Sequence, residues 1–458
     1  MARPHYDYDL IVIGSGAGGS VAATIANAAG KRVAMVEAGT LGGECPNWGC
    51  IPTKAMIHIA DIYAQAKDAA QYGLRSGAMG YNYPSIRAWK DTVVRRTGAA
   101  SSQSYYEGLG IDIVRGQAHF LGKNEISVNR THYTAEHFVV ASGTRTFVPD
   151  IQGLQETGYL TNKEALELNR PPKTLAIIGG GAIGVEFAQL FATFGTKVHI
   201  IDISPRLLPN EDGEISALIE RVFKRKYGMQ LTMNARVTMV EKEGLGKRVT
   251  YEVGGETHSF KTDEVMVATG KLAMTDFGLE NAGIEYAPRN IFVNEHLRTS
   301  TPNIYGVGDV VGPYMFTHMA IYQGKIAAHN ILHPKKPIAT DYRAVPRCIF
   351  ITPEVASVGM TEEECIKRAF DYKKALAPLS IISRANIENN SDGFVKVLTD
   401  NKGVLIGASI AAPHAGEMIH ELALAVQLGL KASDVAGVIH AYPTWSEAVR
   451  VACAKIQA

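Results

Sequence analysis

Long apolar runs, cysteine, tryptophan and an excess of either charge are all scarce in this chain. No apolar stretch approaches the ~18–20 residues that a membrane helix needs, and the N-terminus, MARPHYDYDLIVIG, sets two aspartates ahead of a short apolar run that ends in glycine. A membrane span and a secretory signal are therefore not expected, and a cytoplasmic location is. Lys+Arg number 46 against Asp+Glu 45, a net charge of +1 with no long block of one sign. Neither nucleic acid nor an anionic membrane surface is an expected partner. Five cysteines (Cys45, Cys50, Cys348, Cys365 and Cys453) are too few and too scattered for a secreted disulfide framework. What is present is a 458-residue chain, 46% apolar and 20% charged, which can bury cores for about three domains and excludes disordered and fibrous classes. Glycine is also abundant: 45 residues, clustered at Gly14 to Gly19 and Gly179 to Gly184, where tight turns against small ligands are expected.

From Tyr8 to Glu37 the chain reads as strand (DLIVIG), glycine turn, helix (VAATIANAAG) and second strand (RVAMVE), a βαβ unit. Its turn, Gly14-Ser15-Gly16-Ala17-Gly18-Gly19, fits G-x-G-x-x-G, and Glu37 follows 23 positions after the first glycine. Glycines let a backbone approach a pyrophosphate, the helix start offers free N–H groups and a positive dipole end, and the acid accepts from a ribose hydroxyl. The layout recurs from Thr174 to Asp202, with the turn Gly179-Gly180-Gly181-Ala182-Ile183-Gly184 and Asp202 again 23 positions on. One such turn is a weak signal, because many bare matches are ordinary strand-to-helix turns. Two copies in the same context, with the acid at the same spacing, point to two dinucleotide sites.

Further short strands, HFVVASGT (137–144), DEVMVATG (263–270) and NIYGVGD (303–309), end in similar turns and read as crossovers leaving the nucleotide units. From about Tyr342 the pattern changes to strands followed by the helix AGEMIHELALAVQLG, without a glycine turn. The expected class is α/β, with two Rossmann-like dinucleotide-binding domains and a C-terminal α+β domain. The boundaries are 1–150 for the first nucleotide domain, 151–270 for the second, 271–340 for the return to the first and 341–458 for the tail.

Cys45 and Cys50 form a C-x4-C pair in GGECPNWGCIPTK. On a regular helix five residues turn by roughly 500 degrees and leave the sulfurs ~140 degrees apart, so a bond between them needs irregular backbone. Pro46 and Gly49 supply it, and Pro52 suits an early position in the helix that follows, TKAMIHIADIYAQAKDAA. A thiol near a helix start has its thiolate stabilised, as a redox-active cysteine requires. A zinc site lacks a second ligand pair at suitable spacing; two unpaired buried thiols remain the bland alternative. Two dinucleotide units and a close cysteine pair suggest one apparatus, in which a nicotinamide nucleotide reduces a flavin and the flavin reduces a disulfide.

At this point the chain resembles the pyridine nucleotide-disulfide oxidoreductases, the flavoprotein disulfide reductases that include dihydrolipoamide dehydrogenase, glutathione reductase and mercuric reductase. The resemblance covers essentially the whole length, through GSGAGG, GGECPNWGCIPTK, GGGAIGVEFA, TSTPNIYGVGD, VPRCIFITPEVASVG and HAYPTWSE. It implies FAD in the first domain, held by Gly14, Gly16, Gly19 and Glu37, with Asp309 on the ribityl chain. NAD is implied in the second, at Gly179, Gly181, Ile183, Gly184 and Asp202. Ala118, Ser142, Gly143, Gly270 and Ala320 are further implied cofactor contacts. Cys50 is implied as the thiol against the flavin, Cys45 as the thiol that meets substrate, and Lys54 with Glu186 as an ion pair beside the flavin ring. A homodimer, with the C-terminal domain as interface and the C-terminal motif of one chain over Cys45 of the other, is implied as well. Asp202 favours NAD over NADP, since an acid accepts from a free 2'-hydroxyl and repels a 2'-phosphate; Arg206, close behind, could blunt that preference, although a solvent-facing loop charge is the favoured reading of it.

Three positions depart from the family pattern. HAYPTWSE places Tyr442 where the dihydrolipoamide and glutathione enzymes carry a catalytic His, while Glu447, which orients that His, remains. His440 matches a second histidine of the motif, with a packing role expected. Ala182 stands where many relatives place a gating tyrosine, and GKLAMT (270–275) replaces the usual GRxPN. The expected activity is NADH-linked disulfide or dithiol oxidoreduction, with Cys45, Cys50, Tyr442, Glu447, Lys54 and Glu186 as catalytic residues, no metal, and a small or protein-bound disulfide as substrate. Transhydrogenation or quinone reduction is the alternative. Mercuric reduction is a weaker one, because a vicinal C-terminal cysteine pair is missing.

Overall fold

A computed structural model describes residues 5–456 except 76, 78, 99 and 100. The chain divides into two compact units, one of Met1–Met56, Pro84–Phe147 and Gly270–Thr340, the other of Ile57–Tyr83, Val148–Thr269 and Asp341–Ala458.

The first unit is built on parallel strands in the order Asp112–Arg115, Val33–Glu37, Tyr8–Ile13, Thr131–Val140 and Ile304–Gly306. Leu10, Ile11 and Val12 are at most 1% exposed, so this strand is covered on both faces, which is why it reads as a continuous apolar run rather than an alternating one. The N-terminal half of Thr131–Val140 pairs antiparallel with Glu125–Val128, which continues to Ala118–Gly122. On one face the helix Ala17–Ala28 packs against the helix Thr317–Leu332 at very short range: a Cβ on Gly324 would lie 2.4 Å from the Gly18 carbonyl oxygen. Glycine is a poor helix former, yet here it permits the contact that holds both helices on the sheet.

The second unit contains two sheets of different character. Gln230–Thr232, Lys197–Ile201, Thr174–Ile178 and Glu264–Val267 form a parallel sheet in that order, flanked by an antiparallel meander, Ala235–Glu243, Gly246–Val253 and Glu256–Thr262. A five-stranded antiparallel sheet, ordered Arg347–Ile349, Glu354–Gly359, Leu405–Ala412, Phe394–Thr399 and Lys373–Pro378, carries the helices Ala415–Leu428 and Glu447–Ala454 over one apolar core. The stretches 151–270 and 341–458 thus share one compact unit, and buried charge joins them. Lys396, 1% exposed on Phe394–Thr399, places its ammonium 2.9 Å from Glu214 and 3.5 Å from Asp212 at the start of the helix Gly213–Tyr227, and 2.6 Å from Glu362. Arg347 and Ser357 reach Glu211 in the same seam. A buried ammonium is tolerated only when its partners are in place, so these contacts fix the second nucleotide sheet to the C-terminal sheet. Among the described residues no helix is long and apolar enough to cross a membrane.

Candidate active site

Each unit contains a glycine cradle built the same way. In the first, Gly14 has φ 103, and a Cβ there would lie 2.3 Å from the Ala141 carbonyl oxygen; one on Gly19 would lie 2.1 Å from the Gly14 oxygen. In the second, Gly179 has φ 113 with the same conflict against Ala268 at 2.4 Å, and Gly184 meets the Gly179 oxygen at 2.0 Å. The first and last glycines are therefore demanded by packing of the protein on itself. The middle glycines differ: a Cβ on Gly16 or Gly181 would meet nothing within 4 Å. Each is also the residue before its helix, Ala17–Ala28 or Ala182–Thr193, and neither helix start has a side-chain cap. The first N–H groups there are left for an anion, and the open side at the middle glycine admits one. These residues fit a pyrophosphate.

The acids close the turns. Glu37 accepts from the Ser15 backbone N–H at 3.0 Å, from the Ser15 hydroxyl and from the Gly39 N–H at 2.7 Å. Asp202 accepts from the Gly180 N–H and from the Ser204 N–H at 2.7 Å. Arg206, two positions beyond Ser204, donates to the Pro209 and Glu211 carbonyls and pairs with Glu363. The Glu363 hydrogen bond raises its already high pKa further. This arginine is thus engaged in an ion pair with Glu363.

Other expected cofactor contacts surround the first cradle. Ala118 opens its strand and is buried, while Ser142 donates to the Met274 carbonyl at 2.8 Å. Gly143 accepts from Met274 N–H at 3.0 Å, and Gly270 accepts from Phe147 N–H at 2.9 Å where the chain re-enters the unit. Ala320 is buried on the helix Thr317–Leu332, against Gly18. Asp309 receives a bond from the Thr144 hydroxyl at 3.4 Å. Burial first, and then the Glu44 carboxylate, push its carboxyl up to about 6, with Lys271 and Thr144 opposing the shift. Ile183 is half-buried in the first turn of its helix.

The dithiol lies in the first unit, in a segment whose backbone is irregular where the sequence demands it. Glu44–Asn47 form a single helical turn, Trp48 has φ −139, and the helix Cys50–Asp68 then begins at Cys50 itself, with Pro52 at an early position as expected. Cys50 therefore stands in the first turn, with the helix dipole behind it. Both cysteines are thiols here, with Cys45 hydrogen-bonded to Cys50. That bond, burial and the charge of Cys50 all raise the Cys45 thiol far above the usual range. The Cys50 Sγ lies 3.7 Å from the hydroxyl of Thr317, the first residue of the helix Thr317–Leu332. Thr317 was not singled out by the sequence reading, and a lone Thr before a helical run offers little signal.

Lys54 stands on the cysteine helix one turn after Cys50. Glu186, in the second unit, is 6% exposed and accepts from the Phe350 N–H at 3.0 Å. In the C-terminal motif the Tyr442 side chain is exposed and its hydroxyl is 2.7 Å from that of Ser383. His440 is engaged at both nitrogens, with the Val438 carbonyl and Glu421 each at 2.9 Å. Glu447 sits 3.8 Å from Arg450, and its Oε2 is buried without a hydrogen-bond partner among the described residues. The carboxylate that would orient an imidazole is present; the imidazole is not.

Two nucleotide cradles and a dithiol at a helix start define a pyridine-nucleotide-dependent redox protein that works through sulfur. The chain matches the family Pyridine nucleotide-disulphide oxidoreductase over residues 8–324 and its dimerisation domain over 345–453. It is 38% identical to a dihydrolipoyl dehydrogenase of Geobacillus stearothermophilus, with 96% of this chain and 94% of that protein covered. It is 35% identical to a mercuric reductase of Staphylococcus aureus, with 97% and 82% covered. Among solved structures it is similar to the Cu(II) complex of the HOCl-induced flavoprotein disulfide reductase RclA from Escherichia coli, with 30% identity, a TM-score of 0.88 and 99% and 100% of the two chains covered. The chain belongs to the pyridine nucleotide-disulphide oxidoreductase family. It is a FAD-dependent disulfide oxidoreductase that uses NAD(P).

A raised carboxyl at Asp309 has a definite signature in the cofactor-free protein. Its folded-state pKa lies above the unfolded value, so its contribution to stability is present at low pH and is lost as pH rises through about 6. Asp309→Asn is expected to stabilise the cofactor-free protein on the order of 2–3 kcal/mol near neutral pH and by nothing at low pH, while FAD retention falls. Thermal unfolding of both proteins at the two pH values checks this; a gain independent of pH would contradict it.

Proposed function

We propose that the protein carries electrons between NADH, FAD, the Cys45–Cys50 pair and a substrate disulfide or dithiol, in the manner of a dihydrolipoyl dehydrogenase. The observation that supports it is the thiol pair: Cys50 in the first turn of a helix, with Cys45 hydrogen-bonded to it and holding its proton. When bound, FAD supplies the two-electron relay between nicotinamide and sulfur. Gly14, Gly16, Gly19 and Glu37 would hold its ADP half and Asp309 its ribityl chain, with Ala118, Ser142, Gly143 and Ala320 as further contacts. Gly179, Gly181, Ile183, Gly184, Asp202 and Gly270 would serve the nicotinamide nucleotide, and Lys54 and Glu186 keep the flavin-side roles that the sequence resemblance assigns them.

In the disulfide-reducing direction Cys45, once it has given up its proton, attacks one sulfur of the substrate. The substrate S–S bond breaks as the bond to Cys45 forms, and the first thiol leaves with a proton. Cys50 then attacks Cys45, which restores the Cys45–Cys50 bond and releases the second thiol. NADH and one proton return the pair to its reduced form. Because the Cys45 thiol is held so high, its deprotonation is the demanding step, and the hydrogen-bonded Cys50 is an acceptor within the same chain.

A homodimer fits the dimerisation domain. The second unit exposes Leu424, Leu428, Val438, Ile439 (97%) and Tyr442, which a second copy would cover. Tyr442 would then face the cysteines of the partner. A cytoplasmic setting is in keeping with a dithiol that must cycle through its reduced form. Mercury reduction is disfavoured as the main task, since Cys453 is 1% exposed and burial pushes its thiol up to about 12. The missing imidazole favours one second reading, transfer of electrons to another nicotinamide or to a quinone.

Three outcomes test these readings. Reduction by NADH should produce a long-wavelength absorbance from a thiolate beside the flavin, lost in Cys50→Ser and kept in Cys45→Ser, and both variants should lose reduction of lipoamide or glutathione disulfide. Full disulfide reduction by either variant refutes the dithiol route, and quinone or thio-NAD turnover that exceeds disulfide turnover in the wild type supports the second reading.

NADH should exceed NADPH in kcat/KM by roughly ten- to hundredfold, the effect of about 1–3 kcal/mol expected when a carboxylate faces a phosphate. Asp202 is already held in place by two backbone donors, and Arg206 is paired elsewhere. Equal use of both coenzymes would contradict the assignment of Asp202.

An imidazole titrates near about 6.5 and a phenol near about 10, and a positioned acid/base contributes ~10²–10⁴-fold. Turnover of free dihydrolipoamide by the wild type is therefore expected to be slow and to rise toward alkaline pH. Tyr442→His should increase it about tenfold or more, because the unpartnered Glu447 oxygen can receive the new ring. In the same assay Ile439→Glu, shown monomeric by light scattering, should be inactive; an active monomer, or a Tyr442→His variant no faster than wild type, would overturn this account.

A further inference from the structure

Two helix starts meet at the dithiol. One is the helix Cys50–Asp68, which begins at Cys50, and the other is Thr317–Leu332, which the Gly18–Gly324 approach holds against Ala17–Ala28. The first residue of the second helix, Thr317, is half-buried and sets its hydroxyl 3.7 Å from the Cys50 sulfur, across 267 positions of sequence, with either atom able to donate. The same hydroxyl also bonds to Cys45. There it acts against the prevailing shift: the bond to Cys50, burial and the Cys50 charge raise the Cys45 thiol, whereas the Thr317 hydroxyl and a Cys50 backbone bond lower it. A group lowers a thiol pKa by bonding better to the thiolate than to the thiol, so this hydroxyl is placed as a donor to an ionised Cys45.

We propose that the Thr317 hydroxyl is a catalytic group that follows the negative charge between the two sulfurs, donating to Cys50 while Cys50 is the thiolate and turning to Cys45 when Cys45 gives up its proton to attack substrate. This rests on the disulfide oxidoreductase reading given above. A hydroxyl carries one proton and rotates about its Cβ–Oγ1 bond, so it serves one sulfur at a time without any movement of the backbone. The proton that moves is that of Cys45, which passes to Cys50 along the bond between them; the Thr317 proton stays on its oxygen throughout. Hydrogen bonds to an ionised acceptor are roughly twice as strong as neutral ones, so the hydroxyl contributes most to whichever sulfur is charged. Several charged or titratable groups share the surroundings. Glu44 precedes Cys45 and pairs with Lys271, the Cys50 charge acts on Asp309, Lys54 stands one turn beyond Cys50, and His318, next to Thr317, stacks on Phe316 with ring centroids 5.2 Å apart. A neutral exchange at Thr317 leaves all of these in place and removes only the O–H donor.

The experiment uses the FAD-loaded enzyme reduced by NADH and reads two signals, the pH midpoint of the long-wavelength thiolate absorbance and the rate of Cys45 alkylation by iodoacetamide at neutral pH. Thr317→Val should raise the midpoint by about 0.5–1 unit and slow alkylation about two- to threefold, the smaller effect arising because a thiolate of higher pKa is the better nucleophile. Thr317→Ser, which keeps the hydroxyl, should match wild type in both. Each sulfur is then read alone: Thr317→Val should still raise the midpoint when combined with Cys45→Ser, and should still slow Cys45 alkylation when combined with Cys50→Ser. A purely structural role would not be rescued by serine. Should Thr317→Val fail to retain FAD, the comparison of Thr317→Ala with Thr317→Ser decides in its place. Signals that ignore the loss of the hydroxyl, or an effect confined to one sulfur, overturn the proposal and leave the disulfide reading standing. A wild type with neither a thiolate band nor alkylation that depends on reduction overturns both.

Discussion

In each unit the helix that leaves a glycine turn lies so close to the strand that enters it that no side chain fits between them. The Gly19 and Gly184 positions touch the carbonyls of Gly14 and Gly179, and those first glycines touch the neighbouring crossover strand in turn. The contact brings the helix start to the strand end and leaves its first N–H groups uncapped, and the middle glycine keeps the approach open. Everything the protein does with dinucleotides depends on this closeness. A larger residue at the first or last position would move the helix away before it met any cofactor, whereas one at the middle position would meet the cofactor first.

The local parts of this arrangement were legible in the sequence because each is written within a few consecutive residues. The glycine spacing, the acid at a fixed distance and the break between Cys45 and Cys50 all follow from backbone geometry over one turn or one βαβ unit. What was not legible pairs residues that are far apart in the chain. Lys271 with Glu44, Thr317 with Cys50 and Tyr442 with Ser383 have no signature in either partner's neighbourhood, since a single Lys, Thr or Ser fits a surface equally well. The fate of Arg206 is instructive. Beside Asp202 in sequence it looks available to a phosphate, but Glu363, more than a hundred positions later, takes it. The union of the second nucleotide sheet with the C-terminal sheet was hidden for the same reason, since Lys396 reads as the polar member of a strand and is instead the buried centre of three carboxylates.

The two acids of the cradles show how one residue type is put to different ends. Glu37 and Asp202 accept backbone N–H bonds and so are fixed in place, suited to accept from a ribose. Asp309 has only a hydroxyl donor at long range and lies under burial and the Glu44 charge, so its carboxyl sits near the range in which it exchanges protons. A carboxyl in that state can accept from a hydroxyl or donate to one, which suits a polyhydroxy chain better than a fixed anion would.

The sulfurs follow the same logic of environment over identity. Cys45 and Cys50 have the same side chain, yet a helix start stands behind one, and the other is bound to it and buried. Cys45 is therefore a sulfur that holds its proton tightly. Near the C-terminus the Tyr442 phenol is turned toward Ser383, and one Glu447 oxygen is left without a bond among the described residues. An unsatisfied buried carboxylate oxygen costs stability. The Glu447 oxygen is buried without a bond all the same, which leaves this carboxylate open to a hydrogen-bond donor brought within its reach.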